Sequence, residues 1–184
     1  MTILLNEMPY ASDFGMVEVG NQYVQTLPHQ IIVWVSLGSR KLTSPISPRL
    51  PAILDTGNNF GFAIAEKHFQ AWAGFERRDF EQMGTICVNR SSVPRYALDV
   101  WLHRNQKGTC EPSLVHPPHQ LQLRGGIAIY PLGVESYPRL PLLGLRALDE
   151  NNLRSIIYGD RLRVTIRTGS TKPFRSIDAS SENG

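Results

Sequence analysis

The chain has 184 residues, enough for one domain with a real hydrophobic core, or one domain with sizeable extensions. Its hydrophobic share of 41% excludes a disordered chain, and 13 prolines with 15 glycines favour turns and short strands over long helices. The net charge of +3 is scattered, with some concentration at Arg161, Arg163, Arg167, Lys172 and Arg175, which reads as a solvated C-terminal strand and tail rather than a nucleic-acid patch.

No apolar run reaches the roughly 18 residues that a membrane span needs. The segment Met1–Glu7 has no basic region and too short an apolar stretch for a secretory signal, so a cytoplasmic location is expected. Cys87 and Cys110 then read as free thiols.

In chain order, residues 1–14 read as an irregular arm and Met16-Val17-Glu18-Val19 as a short strand before the turn-like Gly20-Asn21. The β-branched and aromatic run within His29–Leu37 predicts a strand, and Gly38–Lys41 a turn. Pro45 and Pro48 give a ladder no donor, so 43–48 reads as an enlarged loop before the strand ending at Leu54. Phe62–Ala65 predicts a short strand, followed by a helix over Glu66–Ala73 that stops at Gly74. Thr85–Val88 and Tyr96–His103 read as two strands of a hairpin with its exposed tip near Asn89–Ser92. Residues 105–120 are loop-rich. Leu121–Leu123 and Ile127–Tyr130 are strand candidates, and Leu140–Leu148 predicts an apolar strand passing through Gly144 into a helix. Ser155–Tyr158 and Leu162–Arg167 predict a terminal hairpin around Gly159-Asp160, and the polar residues after 168 a frayed tail.

One tripeptide stands apart. Asp55-Thr56-Gly57 follows the apolar run Ala52-Ile53-Leu54 directly. A carboxylate at the end of a buried strand is costly unless it is paired or used. Thr56 adds a hydroxyl for local bonding, and Gly57 is expected to permit a sharp turn that a side chain would block.

The strand-turn-strand entering Asp55-Thr56-Gly57, the Thr85–His103 hairpin, and Leu142-Leu143-Gly144 leading into a helix together resemble the retropepsin family, the single-domain aspartic proteases of retroviruses and their bacterial relatives. The resemblance covers residues 29–167, with 1–28 as an N-terminal arm and 168–184 as the tail. It implies a mostly β fold, a retropepsin-like closed β-barrel or sandwich with a flap hairpin and one or two short helices, active as a homodimer. The homodimer follows from the count: the motif occurs once, no internal repeat supplies another, and an aspartic protease needs two aspartates. Asn58 stands where Ala or Ser is common in that family, and 89 positions separate Asp55 from Gly144, with the excess assigned to Lys107–Gln120.

The resemblance also implies roles. Two Asp55 carboxylates would share one proton and activate a water to cut a peptide bond, with no cofactor and no metal. Thr56 and Gly57 would support the catalytic turn, and Asn89, Arg90, Ser91, Ser92 and Val93 would form a flap closing over a peptide or protein substrate. Two other readings stay open: an inactive member of the same fold serving as a dimerisation or peptide-binding module, kept alive by Asn58, and a basic nucleic-acid-binding β domain, which lacks basic residues interleaved with aromatics.

Other constellations carry less. His116-Pro117-Pro118-His119 with Cys87 and Cys110 fits no zinc spacing. No Gly-x-Ser-x-Gly elbow occurs, and Gly125-Gly126 precedes a strand rather than a helix. Trp34, Trp72 and Trp101 read as packing residues, and Phe60 and Phe62 as possible subsite walls.

Overall fold

In the computed structural model, which describes residues 1–41, 44–58, 60–88, 90–133 and 139–169, the most β-prone runs become the middle of one sheet. β1 spans Ile3–Pro9, β2 Gly15–Val19, β3 Gln22–Thr26, β4 Ile32–Ser39, β5 Leu50–Asp55 and β6 Phe62–Ala65. The helix α1 follows at Glu66–Ala71, then β7 Gln82–Val88, β8 Ser91–Tyr96, β9 Leu98–Leu102, β10 His119–Leu121, β11 Ile127–Tyr130 and β12 Leu142–Gly144. The helix α2 at Leu145–Glu150 leads to β13 Leu153–Tyr158 and β14 Arg163–Thr168. The described residues are therefore mostly β with two short helices. None of the helices is long and apolar enough to cross a membrane.

The main sheet has nine strands in the order β10-β9-β4-β5-β12-β6-β11-β8-β7. Every residue of β6, β9 and β11 is buried, which is why these runs read as continuous rather than alternating apolar segments. Phe69 on α1 is fully buried and meets Phe75 and Phe80 at ring-centroid distances of 5.6 and 6.0 Å. Gly74 closes α1 as expected, with φ of +73° and its N–H donated to Gln70 O.

The main sheet does not close on itself, contrary to the barrel expectation. β7 and β10 are its two edges. The bulge at Gly84 (φ +116°) breaks the β7 ladder, and Pro117 and Pro118, just before the three-residue β10, have no N–H to offer a further strand.

Three other expectations change. Residues 1–14 are not an irregular arm: β1 pairs with β14, and Leu4, Leu5 and Met8 are each 1% exposed. Two register shifts and the positive φ of Glu7 hide the alternation that would mark it as a strand. Within 1–28, β2 and β3 form a hairpin, and β1 joins β14 and β13 in a sheet with the C-terminal strands. Tyr96–His103 is not the partner of Thr85–Val88. The chain breaks step at Ala97, so β8 pairs with β7 while β9 pairs with β4. Thr168, assigned to the tail, is instead the last residue of β14 and pairs with Leu153; 170–184 lie outside the described residues.

A buried carboxylate braces the sheet. Asp99 on β9 is 2% exposed; it accepts from Leu123 N (3.1 Å) and Gln120 Nε2 (3.0 Å), and Arg40 Nε lies 3.4 Å away. Arg40 also donates to the Leu123 carbonyl. Asp99→Ala would leave the Leu123 N–H and the Arg40 guanidinium without this acceptor, so urea unfolding should show a loss of about 3 kcal/mol. Gly144→Ala should cost at least as much, because its β-carbon would stand 2.0 Å from Phe60 O and 2.8 Å from Asn58 O. The same unfolding experiment, or failure to recover folded protein, reads that outcome.

Candidate active site

β5 delivers Asp55. Leu50, Pro51, Ala52 and Leu54 are buried, whereas Asp55 is half-exposed and Thr56 and Gly57 are exposed. Pro51 is tolerated because β12 pairs only with Ile53–Asp55, leaving Pro51 a strand partner on one side alone. Beyond Asp55 the chain turns through side-chain bonds. Gly57 N–H donates to Asp55 Oδ1 at 2.9 Å, and Phe60 N–H donates to Asn58 Oδ1 at 3.2 Å.

Gly57 is not required by the turn itself. It has no positive φ, and among the described residues a β-carbon there would meet only Asp55 Oδ1, at an ordinary 3.5 Å. Asn58 spends its carbonyl oxygen on the turn, while its buried Nδ2 has no partner among the described residues.

The distant segment Leu142-Leu143-Gly144 completes the arrangement. β12 lies between β5 and β6, parallel to β5 with Gly144 in register with Asp55, and antiparallel to β6 with Leu143 opposite Phe62. Gly144 N–H donates to Gly61 O at 3.0 Å, which ties the start of α2 to the far side of the Asp55 turn.

Asp55 and Thr56 line an open groove of about 520 Å³ whose other walls include Tyr10, His29, Ile53, Leu142 and Ile157. Tyr10 and Ile157 are walls that sequence reasoning missed. The only signals for them were the apolar pair Leu4-Leu5 of β1 and the apolar pair Ile156-Ile157 of β13, which said nothing about where those strands would lie.

The expected flap residues are divided. β7 and β8 do form a hairpin, from Gly84–Arg95 to Val88–Ser91, but Asn89 lies outside the described residues. Arg90 (φ +67°) and Ser92 are exposed and Ser91 is half-buried. Val93 is fully buried in a small cluster with Ala63, Ala128 and Tyr130, so it is a packing residue rather than part of the tip. None of the four described residues lines the Asp55 groove. Phe60 and Leu142 pack against the same cluster as Ile86 and Val88, which links the hairpin base to the Asp55 turn.

Among the described residues, no three His, Cys, Asp or Glu side chains stand together as a metal site. Ser36 Oγ and His103 Nε2 are 2.8 Å apart, but Ser36 is 1% exposed and lies at hydrogen-bond distance (3.3 Å) from Pro48 O. Among the described residues no carboxylate bonds His103. This pair braces β4 against the end of β9 and offers no nucleophile.

Comparison of the chain with protein-family models, with curated proteins and with solved structures finds no match.

Two histidines couple the fold to pH. Burial, with Lys67 nearby, lowers His68 to about 4, where it also stacks on Trp72 at 3.8 Å. Burial, with Arg49 nearby, lowers His103 to about 4. Both are neutral in the folded state and protonate more readily once unfolded. Their contribution is therefore full above pH 6.5 and is lost as the pH falls toward 4. Thermal unfolding should show stability dropping across that window by roughly 1–2 kcal/mol per histidine, solvent screening at these partly buried rings reducing the effect, with a shallower drop in His103→Gln.

Proposed function

We propose that this chain is an aspartic endopeptidase of the retropepsin type, acting as a homodimer in which each subunit contributes one Asp55. The observation that carries the reading is the seating of Leu142-Leu143-Gly144 between β5 and β6 with Gly144 beside Asp55. This arrangement presents a half-exposed carboxylate on a rigid strand end at the wall of an open groove, with its Oδ1 already held by Gly57 N–H. A single carboxylate in a groove cannot serve as both acid and base in one step. Two of them, meeting across a two-fold axis, can.

In the proposed reaction the two Asp55 side chains share one proton, because like charges so close do not both ionise; the principle itself is drawn from aspartic proteases. The ionised carboxylate takes a proton from a bound water as the water oxygen bonds to the scissile carbonyl carbon. The protonated carboxyl donates to the carbonyl oxygen. The tetrahedral species then collapses: the C–N bond breaks as C=O re-forms, the proton first taken from water passes to the leaving amine, and one hydroxyl proton returns to the Asp55 that had donated, restoring the shared proton. Thr56, exposed beside Asp55, is suited to bond the other subunit's backbone. The β7–β8 hairpin is suited to cover an extended peptide.

The inactive-module reading rested on Asn58. Its side-chain oxygen is committed to Phe60 N–H and its backbone oxygen is packed near Gly144, so its polarity has a local structural use that does not speak against activity.

A mixed peptide library incubated from about pH 4 to 7 tests the proposal. Wild-type protein should cleave with a maximum on the acidic side, and Asp55→Asn should lose about 10²–10⁴-fold or more of that activity with unchanged folding. Equal cleavage by both proteins overturns it. No cleavage by a folded dimer favours the peptide-binding module.

A further inference from the structure

We infer that the outer edge of β13 is the surface through which two copies of this chain pair, antiparallel about a two-fold axis, forming one six-stranded sheet. The inference rests on the reading of Asp55 as half of a two-carboxylate site, and it names the surface that brings the halves together.

The three-stranded sheet runs β1-β14-β13, so it has two outer edges. The β1 edge is already covered: Asn6 N–H donates to Asn105 Oδ1 at 2.7 Å, and Asn6 O accepts from Gly108 N at 3.0 Å. Among the described residues no such cover lies over β13. Its sequence, Leu153-Arg154-Ser155-Ile156-Ile157-Tyr158, contains neither of the usual edge blockers, proline and lysine.

Register separates its two faces. Leu153, Ser155 and Ile157 share a face with Val164 and Ile166, both fully buried, whereas Arg154, Ile156 and Tyr158 lie on the other. Yet Ile157, on the core side, is 45% exposed, and it lines the same groove as Asp55. An aliphatic side chain on the inner face that has no cover among the described residues marks an edge open to a further strand.

Symmetry then favours a second copy as that strand. Antiparallel pairing about an axis perpendicular to the sheet keeps both inner faces on one side, which sends both Ile157 side chains and both Asp55 grooves toward the same axis. A register centred on Ile156 sets Arg154 opposite Tyr158 of the partner subunit, a cation beside a ring. No exchange of terminal strands is needed, because β14 already holds β1 of its own chain.

Sedimentation of wild type beside an Ile157→Lys/Tyr158→Lys variant tests this, with circular dichroism to confirm that the variant is folded. The expected result is a wild-type dimer and a dissociation constant raised at least about a hundredfold by the like charges on the edge. A wild-type monomer, or a folded variant that still dimerises equally well, overturns the inference. A second arm avoids destabilising charges. In a Cys87→Ser/Cys110→Ser background, Ile156→Cys should form an intersubunit disulfide on oxidation and Thr165→Cys, one strand inward, should not. Equal cross-linking at both positions overturns the proposed edge. Peptide cleavage by the same preparations separates the two readings. A dimer broken by the edge variant in a protein that never cleaves supports the interface and removes the protease. A cleaving dimer indifferent to the edge variant does the reverse.

Discussion

A β-carbon at position 144 would stand 2.0 Å from the carbonyl oxygen of Phe60, so the chain can thread between β5 and β6 only where it carries no side chain. That steric constraint organises the centre of the molecule. With Gly144 in place, β12 pairs on both sides, the ends of β5 and β6 are held at a fixed spacing, and α2 starts immediately beside the Asp55 turn. Gly144 has ordinary extended backbone angles, so its role is one of close approach rather than conformational freedom.

Around this point the protein places polar groups in two different ways. Asp99 is sealed inside the sheet and spends both oxygens on Leu123, Gln120 and Arg40, which anchors the connection between β10 and β11 to β9. Asp55 is held by one internal bond from Gly57 and otherwise faces the groove. A carboxylate fully engaged within its own sheet contributes to order; one left half-exposed at a strand end retains the capacity to act on something else.

The strands with continuous apolar character were legible in the sequence: β4, β5, β6 and β11 fall close to where hydrophobic runs and turn residues put them. The hairpin was legible only in part. Its first strand was in place, but β8 at Ser91–Tyr96 was read partly as the tip, and Tyr96–His103, which contains β9, was taken for the second strand; which of the two pairs with β7 is set by neighbours distant in the chain. β1 was missed because its bulges scramble the alternation that identifies a half-buried strand. The burial of Asp99 was not legible, because its partners Gln120, Leu123 and Arg40 lie far along the chain, beyond any local pattern.

By itself the sequence determined the mostly β character, the strand that ends in Asp55-Thr56-Gly57, and the pairing of a small residue at 144 with a helix start, since each depends on local composition and on which side chains a backbone position admits. Only the tertiary structure decided that Gly144 lies in register with Asp55, that Tyr10 and Ile157 wall the same groove, that Val93 belongs to a packed cluster, and that the main sheet stays open. Those outcomes depend on contacts between segments far apart in the chain, and which of several compatible strands becomes a neighbour is settled by the packing of the whole core rather than by any stretch of residues within it.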